Sequence, residues 1–197
     1  MGEIRYMLKP DWVSWDAIAE CQYQAHLRNR KKGLNMSCQN MTGEDLKNYL
    51  KSAYCFVALD GEKVVGTESF MIRTIDFFGK KNLCYFCNSA ILPEYQGTDV
   101  YINLNKLKHE ERKKHDIYLM YFDTAESNKL VLKLNKKRGF KYIKYKAFDN
   151  TNYYSVYMAK WTKKCPFPDW FLNSVFKLSE IYVKTRFKPG RIKRFGI

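Results

Sequence analysis

The sequence is short of acidic residues and of long apolar runs. Of its 197 residues, 20 are Asp or Glu and 35 are Lys or Arg, which gives a formal net charge of +15. It has no run of about 18 or more apolar residues, so it predicts no membrane-spanning helix. Its first residues lack the apolar stretch of a secretory signal, and Tyr6 stands where myristoylation favours Ser or Thr. We therefore expect a cytoplasmic protein, either free or peripheral to a membrane.

Several catalytic motifs are also missing. The sequence has no Ser-His-Asp pattern, no Gly-x-x-x-x-Gly-Lys phosphate loop and no dinucleotide fingerprint. Of the three histidines, we expect His26 to have a hydrogen-bonded structural role and His109 and His115 to lie on a solvated helix face. No helix-turn-helix or similar reading motif accompanies the positive charge, so nucleic acid is not an expected partner.

The cysteines do not form a recognisable metal site. Cys84 and Cys87 have C-x-x-C spacing, but they form a lone pair on a predicted strand, where positions three apart point to opposite faces. In a cytosolic protein of this size, free and buried thiols are the expectation, and we predict no metal. The full set is Cys21, Cys38, Cys55, Cys84, Cys87 and Cys165.

The order of strands and helices predicts an α/β protein of the α+β kind, with a mixed sheet and helices packed on its faces. One domain is expected to span residues 1–161, followed by an extension over residues 162–197. The predicted helices span residues 12–30 (capped by Asp11), the segment opened by Thr42 and Asp45, residues 100–114, 128–137 and 170–184. The predicted strands span residues 54–59, 63–75, 84–92, 117–122, 140–148 and 153–160, with turns at Asp60-Gly61, 77–81 and 149–152.

The segment from Cys84 to Tyr101 carries the most functional information. Its apolar strand ends at Pro93, which has no amide hydrogen to donate to a neighbouring strand. Gly97 then provides a permissive residue where the chain turns into a helix near Asp99. The first amides of such a helix have no acceptor inside it and carry partial positive charge. The turn is therefore suited to bind an anion such as a pyrophosphate.

Two elements of the sequence, in this order and spacing, resemble the GNAT acyltransferase superfamily over residues 56–157. The first is Ile91-Leu92-Pro93-Glu94-Tyr95-Gln96-Gly97, and the second runs from Asn128 to Lys137-Arg138-Gly139-Phe140. The resemblance implies a mostly antiparallel, splayed sheet, acetyl-CoA as acyl donor and a backbone amide near Ile91 as oxyanion donor. It implies a cofactor-binding set of Ile91, Leu92, Gln96, Gly97, Thr98, Asp99, Val100, Tyr101 and Asn128.

Three positions depart from the family pattern. Asp99 and Tyr101 stand where the family favours small residues, and Asn135 stands where many members have a tyrosine general acid. An aspartate next to a pyrophosphate is unfavourable, so its side chain is expected to turn away and cap the helix. These departures keep open a non-catalytic acyl-CoA-binding protein of the same fold. A third alternative is an enzyme whose donor is an acyl carrier protein, because an acidic carrier suits this basic chain.

Two carboxylates are the candidates for catalysis. Glu68 on the strand before the signature and Asp123 on the strand after it are the groups expected to face the acceptor. The structural alternatives are a solvated strand residue for Glu68 and a turn cap for Asp123. Asn128 has two open roles as well, orienting the cofactor or capping a helix. We expect a small-molecule amine acceptor, and the basic tail resembles that of family members associated with surface-sugar assembly, which suggests an amino sugar.

The C-terminal segment combines an apolar helix with a cluster of cations. One interpretation is a helix packed on the domain with a solvated basic end. The other is an anchor to an anionic membrane surface or to an acidic protein. The apolar positions are Trp170, Phe171, Val175, Phe176, Leu178, Ile181 and Tyr182, and the cations are Lys184, Arg186, Lys188, Arg191, Lys193 and Arg194.

Overall fold

A computed structural model describes residues 3–34, 36, 40–76, 79–148 and 151–186 of the chain. These residues form strands and helices in mixed order, as predicted for an α+β protein. The strands are β1 (Ile4–Leu8), β2 (Ala53–Asp60), β3 (Lys63–Asp76), β4 (Lys80–Ile91), β5 (Ile117–Ala125), β6 (Lys141–Ala147) and β7 (Tyr154–Trp161). The helices are α1 (Trp15–Lys31), α2 (Gly43–Leu50), α3 (Val100–Lys113), α4 (Lys129–Lys137) and α5 (Asp169–Arg186).

The chain divides into two compact units. The first contains the described residues up to Lys32 and from Met36 to Ile117. Its four strands pair antiparallel in the order β1-β2-β3-β4. The second unit contains Gly33, Leu34 and the described residues from Tyr118 onward, and its strands pair antiparallel in the order β5-β7-β6. The mostly antiparallel sheet that the GNAT resemblance implies is therefore confirmed, and the domain boundary at residue 161 stays a prediction.

Each unit has its own apolar core. In the second unit, Met158 is fully buried and the rings of Phe122 and Phe140 meet edge to face with centroids 5.4 Å apart. In the first unit, α1 and α3 pack on opposite faces of β3. Adjacent residues of a strand point to opposite faces, and Thr67 contacts a residue of α1 whereas Glu68 contacts a residue of α3. The largest buried apolar side chains of the first unit are Phe56, Phe70, Ile18, Leu46, Leu50, Leu59 and Leu104.

The starts of the first two helices show one correct and one wrong prediction. Ser14, and not Asp11, caps α1, since its hydroxyl accepts a hydrogen bond from the amide of Ala17 at 3.1 Å. The helix therefore begins three residues later than predicted, because Ser14 has the extended backbone that a capping residue needs. At α2, the reciprocal bonds between Thr42 and Asp45 that the sequence predicts are both present.

The turns follow the sequence where the structure describes them. Gly61 joins β2 to β3 with φ +62°, as the Asp-Gly signal predicts. The prediction of a turn over residues 77–81 is only partly correct, because Lys80 already pairs with Asp76 as the first residue of β4. Residues 77, 78, 149 and 150, which belong to predicted turns, lie outside the described residues.

Helix α5 packs along β6, the last strand in the order of the second unit. Phe176 stacks on Tyr142 with ring centroids 5.1 Å apart and meets the ring of Tyr145 edge-on at 6.1 Å. The backbone amide of Tyr145 donates to the hydroxyl of Ser179 at 3.0 Å, so the helix satisfies a polar group at the edge of β6. Packing of the C-terminal helix is therefore confirmed. No helix within the described ranges has the length and apolarity needed to cross a bilayer.

Candidate functional site: the turn between β4 and α3

The turn that the sequence predicts between β4 and α3 is present. The amide of Leu92 donates to the carbonyl of Val65 at 3.0 Å, and the ladder then stops at Pro93. A short 3-10 turn, Pro93–Tyr95, follows, and Gly97 takes φ +85° before α3 begins at Val100. A side chain at φ +85° would be strained, so glycine is needed at this position.

Two contacts with the β2–β3 hairpin hold the turn in place. The Tyr95 ring is buried and its hydroxyl donates to Asp60 at 2.7 Å, which raises the pKa of Tyr95. At the surface, Lys63 donates to Glu94 at 2.9 Å, and this hydrogen bond lowers the pKa of Glu94. The buried tether fixes the turn more effectively than the exposed ion pair, whose free energy is screened by water.

At the start of α3, Thr98 caps the amide of Val100, and the side chain of Asp99 adds no further cap. Thr98 donates to the carbonyl of Tyr95 at 2.6 Å, and its hydroxyl accepts from the amide of Val100 at 3.4 Å. Asp99 is exposed and its side chain makes no capping hydrogen bond, so the prediction that it caps the helix is wrong. Its backbone has helical φ and ψ, whereas a capping side chain needs an extended backbone to reach back.

Glycine at position 66 allows α3 to approach β3 closely. A Cβ atom on Gly66 would lie 2.8 Å from Cδ1 of Ile91 and 3.0 Å from Cγ1 of Val100. The pairing of β2 with β3 also shifts register here, between Ala58 and Leu59. The glycine in this strand therefore coincides with both a bulge and a close approach of the helix. The close approach brings Val100 at the start of α3 and Ile91 at the end of β4 to the same position on β3.

A bulge in β4 lies three residues before the signature. Thr67 pairs with Ala90 and Ser69 with Cys87, so two residues of β4 face one residue of β3. Asn88, one of the two, takes φ +49°. Its carbonyl accepts hydrogen bonds from the amide group of Gln22 at 2.9 Å and from the hydroxyl of Thr67 at 3.1 Å. Gln22, a fully buried residue of α1, therefore stabilises the bulge.

On the opposite face of β3, Glu68 forms a buried ion pair with Lys108 of α3. The second carboxylate oxygen of Glu68 accepts from the hydroxyl of Ser89 at 2.7 Å, and Lys108 lies 4.6 Å from the centroid of the Phe86 ring. Glu68 is 2% exposed and Lys108 is 6% exposed. The alternative of a solvated strand residue for Glu68 is therefore wrong. Lys108 was not predicted to belong to any site.

Comparison with known proteins finds similarity in structure. No protein-family model and no curated protein sequence matches the chain. Among solved structures, a GNAT-family acetyltransferase from Streptococcus pneumoniae aligns with a TM-score of 0.56 and 13% identity, over 82% of this chain and 100% of its own. A probable acetyltransferase from Staphylococcus epidermidis aligns with a TM-score of 0.58 and 16% identity, over 83% and 100%. A chain of the NatC complex bound to Gag peptide and CoA aligns with a TM-score of 0.61 and 12% identity, over 82% of this chain and 99% of its own.

The chain has the GNAT fold. The strand order within each unit and the turn between β4 and α3 agree with this fold. At sequence identities of 12–16%, the similarity shows the fold alone. The resemblance stated from the sequence is therefore confirmed at the level of the fold.

Two of the predicted site residues, Asp123 and Asn128, lie in the second unit. Asp123 lies within β5, paired with Tyr157, so a turn cap is the wrong alternative for it. Asn128 caps α4, because its Oδ1 accepts from the amide of Val131 at 3.5 Å, while its Nδ2 donates to Thr124 at 3.2 Å.

Asn135, which replaces the tyrosine of many GNAT members, donates from its Nδ2 to the carbonyl of Val131 at 3.0 Å. This hydrogen bond lies within α4, between positions four residues apart. Asn135 therefore has a local structural role in the helix.

The histidines lie in three different environments of the first unit. Nδ1 of His26 lies 3.2 Å from the side-chain amide nitrogen of Asn29, within hydrogen-bond distance. Burial of the ring lowers the pKa of His26. This agrees with the expected structural role. The prediction of a solvated face is correct for His109, which is exposed. It is wrong for His115, whose ring packs 5.0 Å from the ring of Tyr54 where α3 has already ended.

Burial suppresses the reactivity of the cysteines. The prediction of buried thiols is correct for Cys21, Cys55 and Cys84, whereas Cys87 and Cys165 are only half-buried. Burial raises the pKa of Cys21, of Cys84 and of Cys87 to about 12. Cys38 lies outside the described residues. No group of three or more His, Cys, Asp or Glu side chains in the described part of the chain is arranged to hold a metal ion.

These pKa values predict slow alkylation of the native protein. At about pH 8, a thiol of pKa 12 is ionised to roughly one part in 10⁴, and only the thiolate is nucleophilic. Peptide mass spectrometry after iodoacetamide treatment should find Cys21, Cys84 and Cys87 unmodified in the native protein and fully modified in guanidinium. Equal labelling rates of Cys84 in both conditions would contradict the burial of its thiol.

Proposed function

We propose that the chain is an acyl-CoA-dependent N-acyltransferase that transfers an acetyl group from acetyl-CoA to a primary amine of a small molecule. The observation that carries the proposal is the turn between β4 and α3, in which Gly97 at φ +85° leads into the start of α3. In a chain with the GNAT fold, this turn is the element expected to bind the pyrophosphate of CoA. The CoA bound in the NatC complex that aligns with this chain is consistent with the same cofactor here.

The proposed cofactor site uses backbone groups more than side chains. The turn contributes the residues around Gly97 and Thr98. Helix α3 contributes the amides of its first turn that follow Val100, because the amide of Val100 already donates to the hydroxyl of Thr98. Because Asp99 is exposed and not engaged as a cap, its carboxylate is able to rotate away from a bound pyrophosphate. The contribution of Asn128 to cofactor orientation stays a proposal, with its side chain already bonded to Thr124.

In the proposed reaction, the neutral amine nitrogen attacks the carbonyl carbon of the thioester. A C–N bond forms and the C–S bond breaks, so that the acetyl group leaves CoA and the sulfur departs as a thiolate. The amine loses one proton and the thiolate gains one, with water as a permitted relay between these groups. A backbone amide near Ile91 is the proposed donor to the oxyanion, as the GNAT resemblance implies.

Of the two candidate carboxylates, we propose Asp123 as the group that receives the proton of the amine. Glu68 is committed to Lys108 and Ser89, so it has no oxygen left that lacks a protein partner. Its proposed role is accordingly to position β3 and α3, with direct catalysis as the alternative. Asp123 is only half-buried on β5, which suits a group that exchanges protons with substrate and water.

Two alternatives differ from this proposal in class or in donor. A non-catalytic acyl-CoA-binding protein is favoured by Asp99, Tyr101 and Asn135, which depart from the family pattern. An acyl carrier protein as donor is favoured by the net charge of +15. An amino sugar is the proposed acceptor, and it rests on the similarity of the basic tail to that of family members that act on surface sugars.

A thiol-release assay tests the proposed activity. The full chain is incubated with acetyl-CoA and a panel of amines that includes amino sugars and nucleotide-linked amino sugars. The proposal predicts multiple turnovers with at least one amine and none with the matching alcohols. Saturable CoA binding without turnover across the panel would favour the non-catalytic alternative. Much faster turnover with an acyl carrier protein than with acetyl-CoA would favour the carrier as donor.

The Gly97→Pro variant should lose CoA binding. Proline fixes φ near −65° and removes an amide donor, whereas the turn needs φ +85° at this residue. Thermal unfolding with and without acetyl-CoA measures the effect, because a ligand that binds only the native state raises Tm. We expect the ligand-induced rise in Tm for the natural chain and none for the variant.

Gly79→Pro is the matched control. Gly79 has φ +90° and open space around its Cα, but it lies beside β4 at the other end of the strand. It should lose stability for the same backbone reason and keep the ligand-induced rise in Tm. If both variants keep the rise, the turn between β4 and α3 does not bind CoA.

A further inference from the structure

Helix α5 has one face that is packed and one that is not. The packed face carries Phe176, Ser179 and Val183, which contact β6 or are buried against the second unit. At about 100° per residue, these three positions fall within about 60° of one another around the helix axis. The remainder of the helix surface is not needed for this packing.

The exposed face carries an apolar stripe. Six side chains fall within an arc of about 140°, and no charged residue lies inside it. They are Trp170, Phe171, Val175, Leu178, Ile181 and Tyr182, which we call the α5 stripe. Trp170 is 69% exposed and Leu178 is 66% exposed. Scattered apolar side chains are ordinary on protein surfaces, but a stripe of six along one helix marks an interaction surface.

Polar groups within the arc are turned back into the helix. Ser174 donates to the carbonyl of Trp170 at 2.9 Å, and Thr185 donates to the carbonyl of Ile181 at 2.8 Å. Because both hydroxyl protons are used inside the helix, these residues add little polarity to the stripe. At the two borders of the arc stand the cations Lys177 and Arg186, each about 20° outside it.

The charge around the stripe is strongly positive. From residue 118 to the C-terminus, the sequence has 18 Lys and Arg against five Asp and Glu, a net charge of +13 out of the total of +15. Both acidic residues of α5 are paired, Asp169 with Lys141 and Glu180 with Lys184. The second unit therefore carries a large positive charge, and the acidic residues of α5 are themselves paired with lysines.

We propose that α5 is an interfacial anchor that lays the α5 stripe on the surface of an anionic lipid bilayer. Aromatic rings with a polar atom, such as Trp170 and Tyr182, suit the level of the lipid headgroups. The cations at the borders of the arc meet anionic headgroups, and each adds attraction. Pairing of the stripe with a second copy is disfavoured, because it would bring two units of charge +13 together.

Co-sedimentation of the full chain with vesicles tests the anchor. Phosphatidylcholine vesicles with and without phosphatidylglycerol separate the anionic surface from the bilayer alone. The natural chain should sediment with the anionic vesicles and much less with the neutral ones. It should be released as salt rises, because charge attraction is screened over about 8 Å at physiological ionic strength.

The decisive variant is Leu178→Gln with Ile181→Gln, which removes apolar area from the stripe and leaves the net charge unchanged. The partition coefficient of this variant into anionic vesicles should fall at least about tenfold, because binding then buries less apolar surface away from water. The matched control is Leu130→Gln with Leu134→Gln, two exposed leucines of α4, which should bind as the natural chain does.

Absence of binding of the natural chain to anionic vesicles at low salt would overturn the proposal. Equal binding of the Leu178 and Ile181 variant would overturn it as well. A concentration-dependent dimer in sedimentation, abolished by the same variant, would assign the stripe to a second copy instead. Circular dichroism and Tm verify that each variant is folded, and none of these results depends on acyltransferase activity.

Discussion

Lys108→Met is expected to destabilise the protein by about 3–5 kcal/mol, because it leaves the carboxylate of Glu68 buried without its cation. The ion pair lies among apolar side chains between α3 and the sheet, where water does not replace the lost partner. Denaturant unfolding measures the change. Lys63→Met is the matched control, since Lys63 pairs with Glu94 at the surface and its loss should cost at most about 1 kcal/mol.

The double variant Glu68→Met with Lys108→Met should recover most of the lost stability. Removing both charges together removes their desolvation cost, and apolar replacement of buried pairs is often neutral or stabilising by about 1–4 kcal/mol. A single Lys108→Met variant as stable as Lys63→Met would contradict the buried pair. So would a double variant that is less stable than the single one.

The same double variant separates the two roles of Glu68. If Glu68 positions β3 and α3, the folded double variant should retain turnover in the thiol-release assay. If Glu68 receives the proton of the amine, the double variant should fold and lose turnover by a factor of about 10² or more. Either result is interpretable because stability is measured on the same protein.

Deleting residues 166–197 is expected to have the second large effect. The deletion removes α5, and with it Phe176 from the rings of Tyr142 and Tyr145 and Ser179 from the backbone amide of Tyr145. Losing both ring contacts of Phe176 and the hydrogen bond of Ser179 should cost on the order of 5 kcal/mol. The uncovered edge of β6 should also make the truncated chain aggregate. Unfolding curves and size-exclusion chromatography measure both effects.

The stripe variant, Leu178→Gln with Ile181→Gln, is the control for this deletion. Both side chains are exposed on the face of α5 away from β6, so their replacement should change stability by no more than about 0.5 kcal/mol. A truncated chain that stays monomeric with an unchanged Tm would show that α5 does not stabilise the second unit.

Local signals predicted much of the turn between β4 and α3. Pro93 ends a ladder wherever it occurs in a strand, and Gly97 tolerates the positive φ that this turn needs. Both properties belong to single residues, so the sequence predicts them without knowledge of the fold. The cap of α1 was missed for a related reason, since Asp11 and Ser14 are both good capping residues and the choice depends on backbone angles.

The pair of Glu68 and Lys108 is a different case. Lys108 lies in a helix rich in lysine and glutamate, and most lysines of such a helix are solvated. Its position four residues after Leu104 and eight after Val100 places it on the buried face, but only a partner at the right height on β3 makes that burial favourable. This partner is 40 residues away in sequence, and no local pattern identifies it.

The bulge at Asn88 could not be predicted from the sequence either. Asparagine tolerates positive φ better than most residues, yet it does so in only a minority of its occurrences. What fixes the bulge is Gln22 of α1, whose amide reaches the displaced carbonyl. That contact depends on how α1 packs on β3 and β4, which periodicity does not define.

Isothermal titration calorimetry with acetyl-CoA and with desulfo-CoA tests the central claim, that the turn between β4 and α3 binds the cofactor of an acyltransferase. The second ligand lacks the sulfur, so binding is measured without any reaction. We predict saturable, one-site binding of both ligands, with affinity that falls as salt rises because the pyrophosphate is held by positive charge. No detectable heat of binding for either ligand at millimolar concentration would contradict the account.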